Sequence, residues 1–348
     1  MSTIPFSNQY KRIATEEAFA PADLIVRYRK LYESRSFDDP GFDSLWGVYS
    51  SSTAARPTFI REKLADLDAL RIADMDATGI DHQIIALTSP GVQVFERDTA
   101  VSLARESNDI LAAAVRKHPT RFTGMIAIAP QAPELAAQEL QRCKALGFRG
   151  IIINSHTMGE YLSDEKFWPI FEAAEALDLP IYLHPNTPPK SMIGPMVEAG
   201  LDGAIFGFGV ETGFHMLRII TAGVFDRFPK LQIIIGHMGE ALPYWLYRLE
   251  YMHNAGVKAA RYECLKPLQR KIGDYLRENV YVTNSGMAWE PAIKFAQQIC
   301  GVDRVMYAMD YPYQYTPQEV IDLDNMTMDV ATKKKFYQDV AEKVFKLV

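Results

Sequence analysis

The chain has 348 residues, 48% of them hydrophobic and 23% charged, with a formal net charge of −6. This is ordinary globular composition, long enough for a large core or for an α/β barrel in one piece. Net acidity without a dense basic run argues against nucleic acid as a partner, and no apolar stretch reaches the roughly 18 residues of a membrane span.

The opening "MSTIPFSNQYKR" has no signal-peptide core. The first strand-like run is "RIATEEAF" (12–19), which closes on Glu16 and Glu17. Neighbouring strand residues face opposite ways, so one of the two is expected to point inward. A carboxylate there needs a partner or a metal. A long connection (20–75) follows, containing "FDSLWGVYSSSTAARP". Strands two and three are expected at "HQIIALTSP" (82–90) and "FTGMIAIAP" (122–130). "ELAAQELQRCKALG" has helical spacing and Gly147 as its stop. Strand four is "RGIIINSH" (149–156), and the helix after it opens with Ser163 as N-cap. Strand five is "PIYLHPN" (180–186), followed by a second long connection (187–229). Strands six, seven and eight are "LQIIIGHMG" (231–239), "NVYVTNSG" (279–286) and "RVMYAMDYP" (304–312). In "TPQE", Thr316 is placed to cap, Pro317 to open the helix and Glu319 to complete a capping box.

Most of these runs are continuously apolar, as in parallel sheets covered on both faces. Eight strand–helix units predict an α/β fold, a (β/α)8 TIM barrel, as one domain over 1–348. Long connections after strands one and five suit lids or subunit contacts. The widely spaced Cys143, Cys264 and Cys300 show neither disulfide nor zinc spacing and fit a reducing cytoplasm.

Barrel active sites lie at the C-terminal strand ends. There the sequence places Glu16 and Glu17 (strand one), His184 (five), His237 (six) and Asp310 (eight). Taken singly, each has an ordinary explanation: a fraying strand end, a core histidine, a helix cap, an Asx turn. Together they point to one divalent cation. Carboxylates with one or two imidazoles favour Mn²⁺ or Mg²⁺, with Zn²⁺ still open. Strand four ends in Asn154 and Ser155, with no lysine to bridge a second metal.

Metal ligands on strands one, five, six and eight resemble the amidohydrolase superfamily. The stretches "RIATEEAF", "RIADMDATGID", "LTSPGVQ", "GAIFGFGVETG", "GHMGEALPYWLYRL" and "DRVMYAMDYPYQY" are similar to its non-oxidative decarboxylase branch over essentially the whole chain. Glu16-Glu17-Ala18 replaces the superfamily's His-x-His, and Ala18 also departs from the Glu-Glu-His of several branch members. The resemblance implies an amidohydrolase-type barrel in which Glu16, His184 and Asp310 hold the metal. His237 would be a ligand or a substrate contact, and Arg56, Arg248 and Tyr313 would bind a small aromatic carboxylate. It also implies a homodimer or larger homo-oligomer.

The implied reaction is loss of CO₂ from a hydroxylated benzoate without an organic cofactor. It needs a metal to hold the ortho phenolate beside the carboxylate, and an acid to protonate the ring carbon. Asp310 is the candidate acid and His237 its rival. Guanidinium groups suit the anionic substrate. Trp46 and Phe208 are candidates for the ring's apolar walls or for ordinary packing. The competing functions are metal-assisted hydrolysis of a lactone or amide, decarboxylation of another dihydroxybenzoate, and an inactive barrel used for assembly.

Overall fold

The computed structural model describes residues 4–347. Eight parallel strands follow one another in sequence order around a single sheet: β1 (Ile13–Phe19), β2 (His82–Leu87), β3 (Phe122–Ala127), β4 (Gly150–Asn154), β5 (Ile181–His184), β6 (Ile233–Ile235), β7 (Val280–Thr283) and β8 (Val305–Met306). All eight fall where the apolar runs put them. They are buried along almost their whole length because helices cover the outer face while side chains fill the interior.

Between β8 and β1 there is no ladder. The join is made by Thr15 N–H to the Tyr307 carbonyl (3.1 Å), Ala18 N–H to the Tyr311 carbonyl (2.8 Å) and the Thr15 hydroxyl to the Tyr307 carbonyl (2.7 Å). The chain is thus a (β/α)8 barrel, closed at this join by a few separate bonds.

Several expected boundaries need correction. Strands six and eight were expected to run to residues 239 and 312, but β6 ends at Ile235 and β8 at Met306. Beyond them His237 and Asp310 have φ of 51° and 62°, which no ladder accommodates. Ser163 is not a cap. A 3₁₀ turn at Glu165–Phe167 precedes the helix Trp168–Ala176, which starts where Pro169 fits its first turn, and the Ser163 hydroxyl accepts from Arg218 Nε instead (3.0 Å). Gly147 does follow a helix, Pro133–Ala145, at φ 99°. Thr316 caps Pro317–Asp324 through Glu319 N–H (3.4 Å), but the Glu319 carboxylate accepts from Gln314 (3.2 Å), so only half of the capping box forms.

Both long connections are helical. The first contains helices Ala22–Ser34, Val48–Ser51, Ala55–Ala65 and Ala69–Thr78, with a π-helical turn at Phe42–Gly47. Its Tyr28 ring packs against Phe42, Trp46 and Phe95, which anchors the insertion over the barrel mouth. The second contains Lys190–Ala199, Gly207–Thr221 and Val224–Arg227.

Candidate metal centre

The two glutamates of β1 are both buried, Glu16 4% exposed and Glu17 0%. A fraying strand end is therefore excluded. Regular alternation would bury one and expose the other on a solvated face, but β1 is covered on both faces and also bulges. Ala14 pairs with Gln83 and Glu17 with Ile85, so β1 holds one residue more than β2 between those points.

Glu17 faces the join. Its carboxylate accepts from Met309 N–H (2.9 Å) and Gln83 Nε2 (3.4 Å). Gln83 in turn accepts from the fully buried Arg71, which also donates to the Ala18 carbonyl (2.7 Å). Burial pushes the Glu17 carboxyl well above its usual range, against the Met309 amide and Arg71.

Glu16 faces the barrel mouth. Its Oε2 accepts from the Tyr182 hydroxyl and lies 3.4 Å from Thr283 Oγ1. Its Oε1 is buried with no hydrogen-bond partner. His184 Nε2 stands 3.2 Å from that oxygen and His237 Nε2 stands 3.7 Å away. Burial alone would raise the Glu16 carboxyl, but His237 and His184 outweigh it and hold the group below its usual range.

His184 ends β5, and its Nδ1 lies 2.8 Å from the Pro185 carbonyl. Nδ1 is thus turned to that carbonyl, which leaves Nε2 facing Glu16 Oε1 across 3.2 Å. His237 begins a left-handed turn in which His237, Met238, Gly239, Glu240 and Ala241 all have positive φ (51°, 57°, 80°, 49° and 61°). The turn brings the Glu240 carboxylate to 2.7 Å from His237 Nδ1. Burial would lower the His237 pKa, but Glu240 and then Glu16 raise it to about 10.

Asp310 is half-buried, and burial followed by Glu16 pushes its carboxyl up to about 7 against His237 and His184. Gly286 lets it approach His237: a Cβ there would lie 3.3 Å from Asp310 Oδ2 and 3.5 Å from His237 Cδ2. Glu16, His184 and His237 lie together, and Asp310 is near enough for its carboxyl to feel the charge of all three. Among the described residues no three His, Cys, Asp or Glu side chains are already gathered at metal-holding distance. The Glu16–His184 pair is assembled, and its unpartnered Oε1 fits a hard divalent cation.

Of the expected substrate contacts, Tyr313 and Arg56 lie at this mouth. The Tyr313 hydroxyl is 2.6 Å from Thr88 Oγ1, and its ring meets Trp46 edge-on at 6.2 Å. Arg56 donates to the Tyr313 carbonyl (2.7 Å). Arg248 is exposed on helix Leu242–Lys258, six residues beyond Leu242. Trp46 is buried beside Tyr313, and Phe208 is half-buried at the start of helix Gly207–Thr221. The sequence reading missed Tyr182, Thr283 and Glu240. Tyr182 was findable, lying two residues before His184 on the same strand face, and Glu240 closes the "GHMGE" stretch.

A parallel eight-stranded barrel with carboxylates and imidazoles converging at its C-terminal mouth defines a candidate metal-centred TIM-barrel enzyme. Residues 54–347 match the amidohydrolase family, and the chain belongs to it. A crystal structure of 5-carboxyvanillate decarboxylase from Novosphingobium aromaticivorans, complexed with manganese and 4-hydroxy-3-methoxy-5-nitrobenzoic acid, is 59% identical, with a TM-score of 0.97 over 99% of both chains. The 5-carboxyvanillate decarboxylase of Sphingomonas paucimobilis is 36% identical, with a TM-score of 0.91 over 97% of this chain and 99% of that one. Among curated relatives, the γ-resorcylate decarboxylase of a Polaromonas species is 39% identical over 97% of this chain and 98% of its own length.

Proposed function

We propose that this chain is a divalent-metal-dependent carboxy-lyase that converts 5-carboxyvanillate to vanillate and CO₂. The observation that carries the reading is Glu16 with His184 and His237 beside it and Asp310 within reach of their charges, in a chain 59% identical to a manganese-bound 5-carboxyvanillate decarboxylase. Glu16, His184 and Asp310 would hold the cation, Mn²⁺ by preference. Bound there, it supplies charge stabilisation for a phenolate and the adjacent carboxylate.

The protein's own groups then do the following. Arg56, Arg248 and Tyr313 hold the aromatic carboxylate. Asp310 carries a proton on one oxygen and delivers it to the ring carbon that bears the leaving carboxylate, with the phenolate supplying the electron pair for the new C–H bond. The C–C bond then breaks, its electrons restore the aromatic ring, and CO₂ departs. Asp310 regains a proton from solvent. His237, its Nδ1 held by Glu240, presents Nε2 to the substrate's acidic groups. Packing of the first insertion against Tyr313 keeps water from the ring.

The test is incubation of metal-replete enzyme with 5-carboxyvanillate, without O₂ or NAD. Vanillate should form, and in D₂O it should carry one ring deuterium. No vanillate, or solvent ¹⁸O in a hydrolysis product, would reject the reading. γ-Resorcylate run in parallel decides between the two substrate classes.

The whole chain, 1–348, would act as a single barrel domain in the cytoplasm, where three unpaired cysteines are at home. A homodimer or larger assembly would cover the aromatic face of helix Leu242–Lys258, where Tyr244, Tyr247 and Tyr251 are 74%, 82% and 64% exposed. Light scattering on the purified protein would report the mass, and a monomer would reject the assembly.

A further inference from the structure

We propose that Tyr182 is the positioning residue for the Glu16 carboxylate, occupying Oε2 so that Oε1 alone is left for the cation. This rests on the metal reading above. Tyr182 is fully buried on β5, two residues before His184 and on the same strand face.

Its hydroxyl belongs to a chain of bonds with a fixed direction. Ser285 N–H points at Thr283 Oγ1 (3.3 Å), so that oxygen accepts there and its own proton must go elsewhere. Thr283 Oγ1 lies 2.9 Å from the Tyr182 hydroxyl. Tyr182 donates to Glu16 Oε2, and Thr283 has its proton free for the Tyr182 oxygen or for Oε2 itself, 3.4 Å away. The carboxylate at the other end can only accept, so it is Glu16 that fixes the direction of the Tyr182 hydroxyl, and the phenol cannot turn away without leaving a buried acceptor unmet.

Gly236 closes the cradle from the other side. A Cβ there would lie 2.8 Å from Glu16 Oε2 and 3.2 Å from the Tyr182 hydroxyl. Oε2 is therefore enclosed by a phenol, a threonine and bare backbone, while Oε1 is unpartnered and turned toward His184 Nε2. Glu16 can then offer the cation one oxygen only, in a fixed direction. Ala18 offers no imidazole on this strand to share the task.

The experiment measures Mn²⁺ binding to metal-stripped full-length protein, by loss of the free-ion EPR signal and by calorimetry. Tyr182→Phe keeps the ring and removes only the donor. It should raise the Mn²⁺ Kd by about 10–100-fold, the usual effect of losing a group that orients a ligand. Thr283→Val should raise it in the same direction by less, and Thr283→Ser should restore it. A merely structural hydroxyl would lower the melting temperature of the metal-free protein and leave Kd alone. Tyr182→Phe with the wild-type Kd overturns the proposal. Should Tyr182→Phe not fold, an unchanged Kd in Thr283→Val overturns it equally. Wild-type protein that binds no Mn²⁺ removes the metal reading itself, a result distinct from either.

Discussion

Gly236 follows β6 and precedes His237, and the space a methyl group would need there is already filled by the Glu16 carboxylate and the Tyr182 hydroxyl. Gly236→Ala should therefore push Glu16 off Tyr182. We expect a loss of about 1–3 kcal/mol in stability, as for other overpacked interiors, together with weaker Mn²⁺ binding. Denaturant titration and calorimetry would read the two separately. A variant that binds Mn²⁺ normally would show that the cradle has slack. At this scale the sequence exposed the residues with chemistry of their own. Glu16, His184, His237 and Asp310 each interrupt an apolar run, so each is visible as an exception. Tyr182, Thr283 and Gly236 fit their runs without conflict, and only three-dimensional proximity gives them a role. Read as a loop residue, Arg56 in fact lies in helix Ala55–Ala65, and its bond to the Tyr313 carbonyl spans 257 positions of sequence and leaves no local trace.

At the scale of elements, the turn from His237 to Ala241 stands out, because four of its five residues carry side chains at positive φ. Left-handed backbone costs such residues roughly 1–2 kcal/mol each, and the cost is tolerated where geometry is needed. Here it sets Glu240 against His237. Ala241→Gly, at the end of the turn, should raise the unfolding free energy by roughly 1 kcal/mol. An unchanged or lower denaturation midpoint would mean that the turn is not strained at that position. This turn was illegible in "GHMGEAL", since only one of its five residues is the glycine that usually announces such backbone. The strands were legible for the opposite reason: two-sided burial demands unbroken apolar runs.

A second element-level device lies under helix Gly207–Thr221. His215 is fully buried, with Nε2 accepting from Leu162 N–H (3.0 Å) and Nδ1 beside Ser155 Oγ (3.1 Å), which donates to Glu211 (2.9 Å). Burial, helped by His156 and Arg218, holds its pKa well below the usual value. The unfolded chain then binds a proton below about pH 6.5 that the folded chain refuses. Stability should fall as pH drops through that value, by up to about 1.4 kcal/mol per unit. Glu211 is raised by burial, so its carboxyl works in the opposite sense, adding stability as pH falls. Comparison with His215→Gln therefore isolates the histidine. Parallel stability–pH curves for the two proteins between pH 7.5 and 5.5 would contradict the assignment.

For the whole molecule, the barrel's weakest circumference is also where its chemistry sits. Seven neighbouring strand pairs share ladders, but β8 and β1 meet through a few amide bonds and the Glu17 carboxylate. A ligand at 100 times its Kd adds about 2.7 kcal/mol to the folded state, and this one would bridge Glu16 on one side of the gap and Asp310 on the other. The ion would then behave as a keystone, so stripping it should let one stave of the barrel breathe. Hydrogen exchange should quicken at Thr15, Ala18 and Met309 in the chelated protein, while Ile151–Ile153 and Leu183 keep their protection. Uniform acceleration, or none, would mean that the wall stands without its ion. If the local pattern is found, catalytic competence and mechanical closure share a single part, and a cell starved of the metal would accumulate not merely idle enzyme but enzyme already loosened for proteolysis.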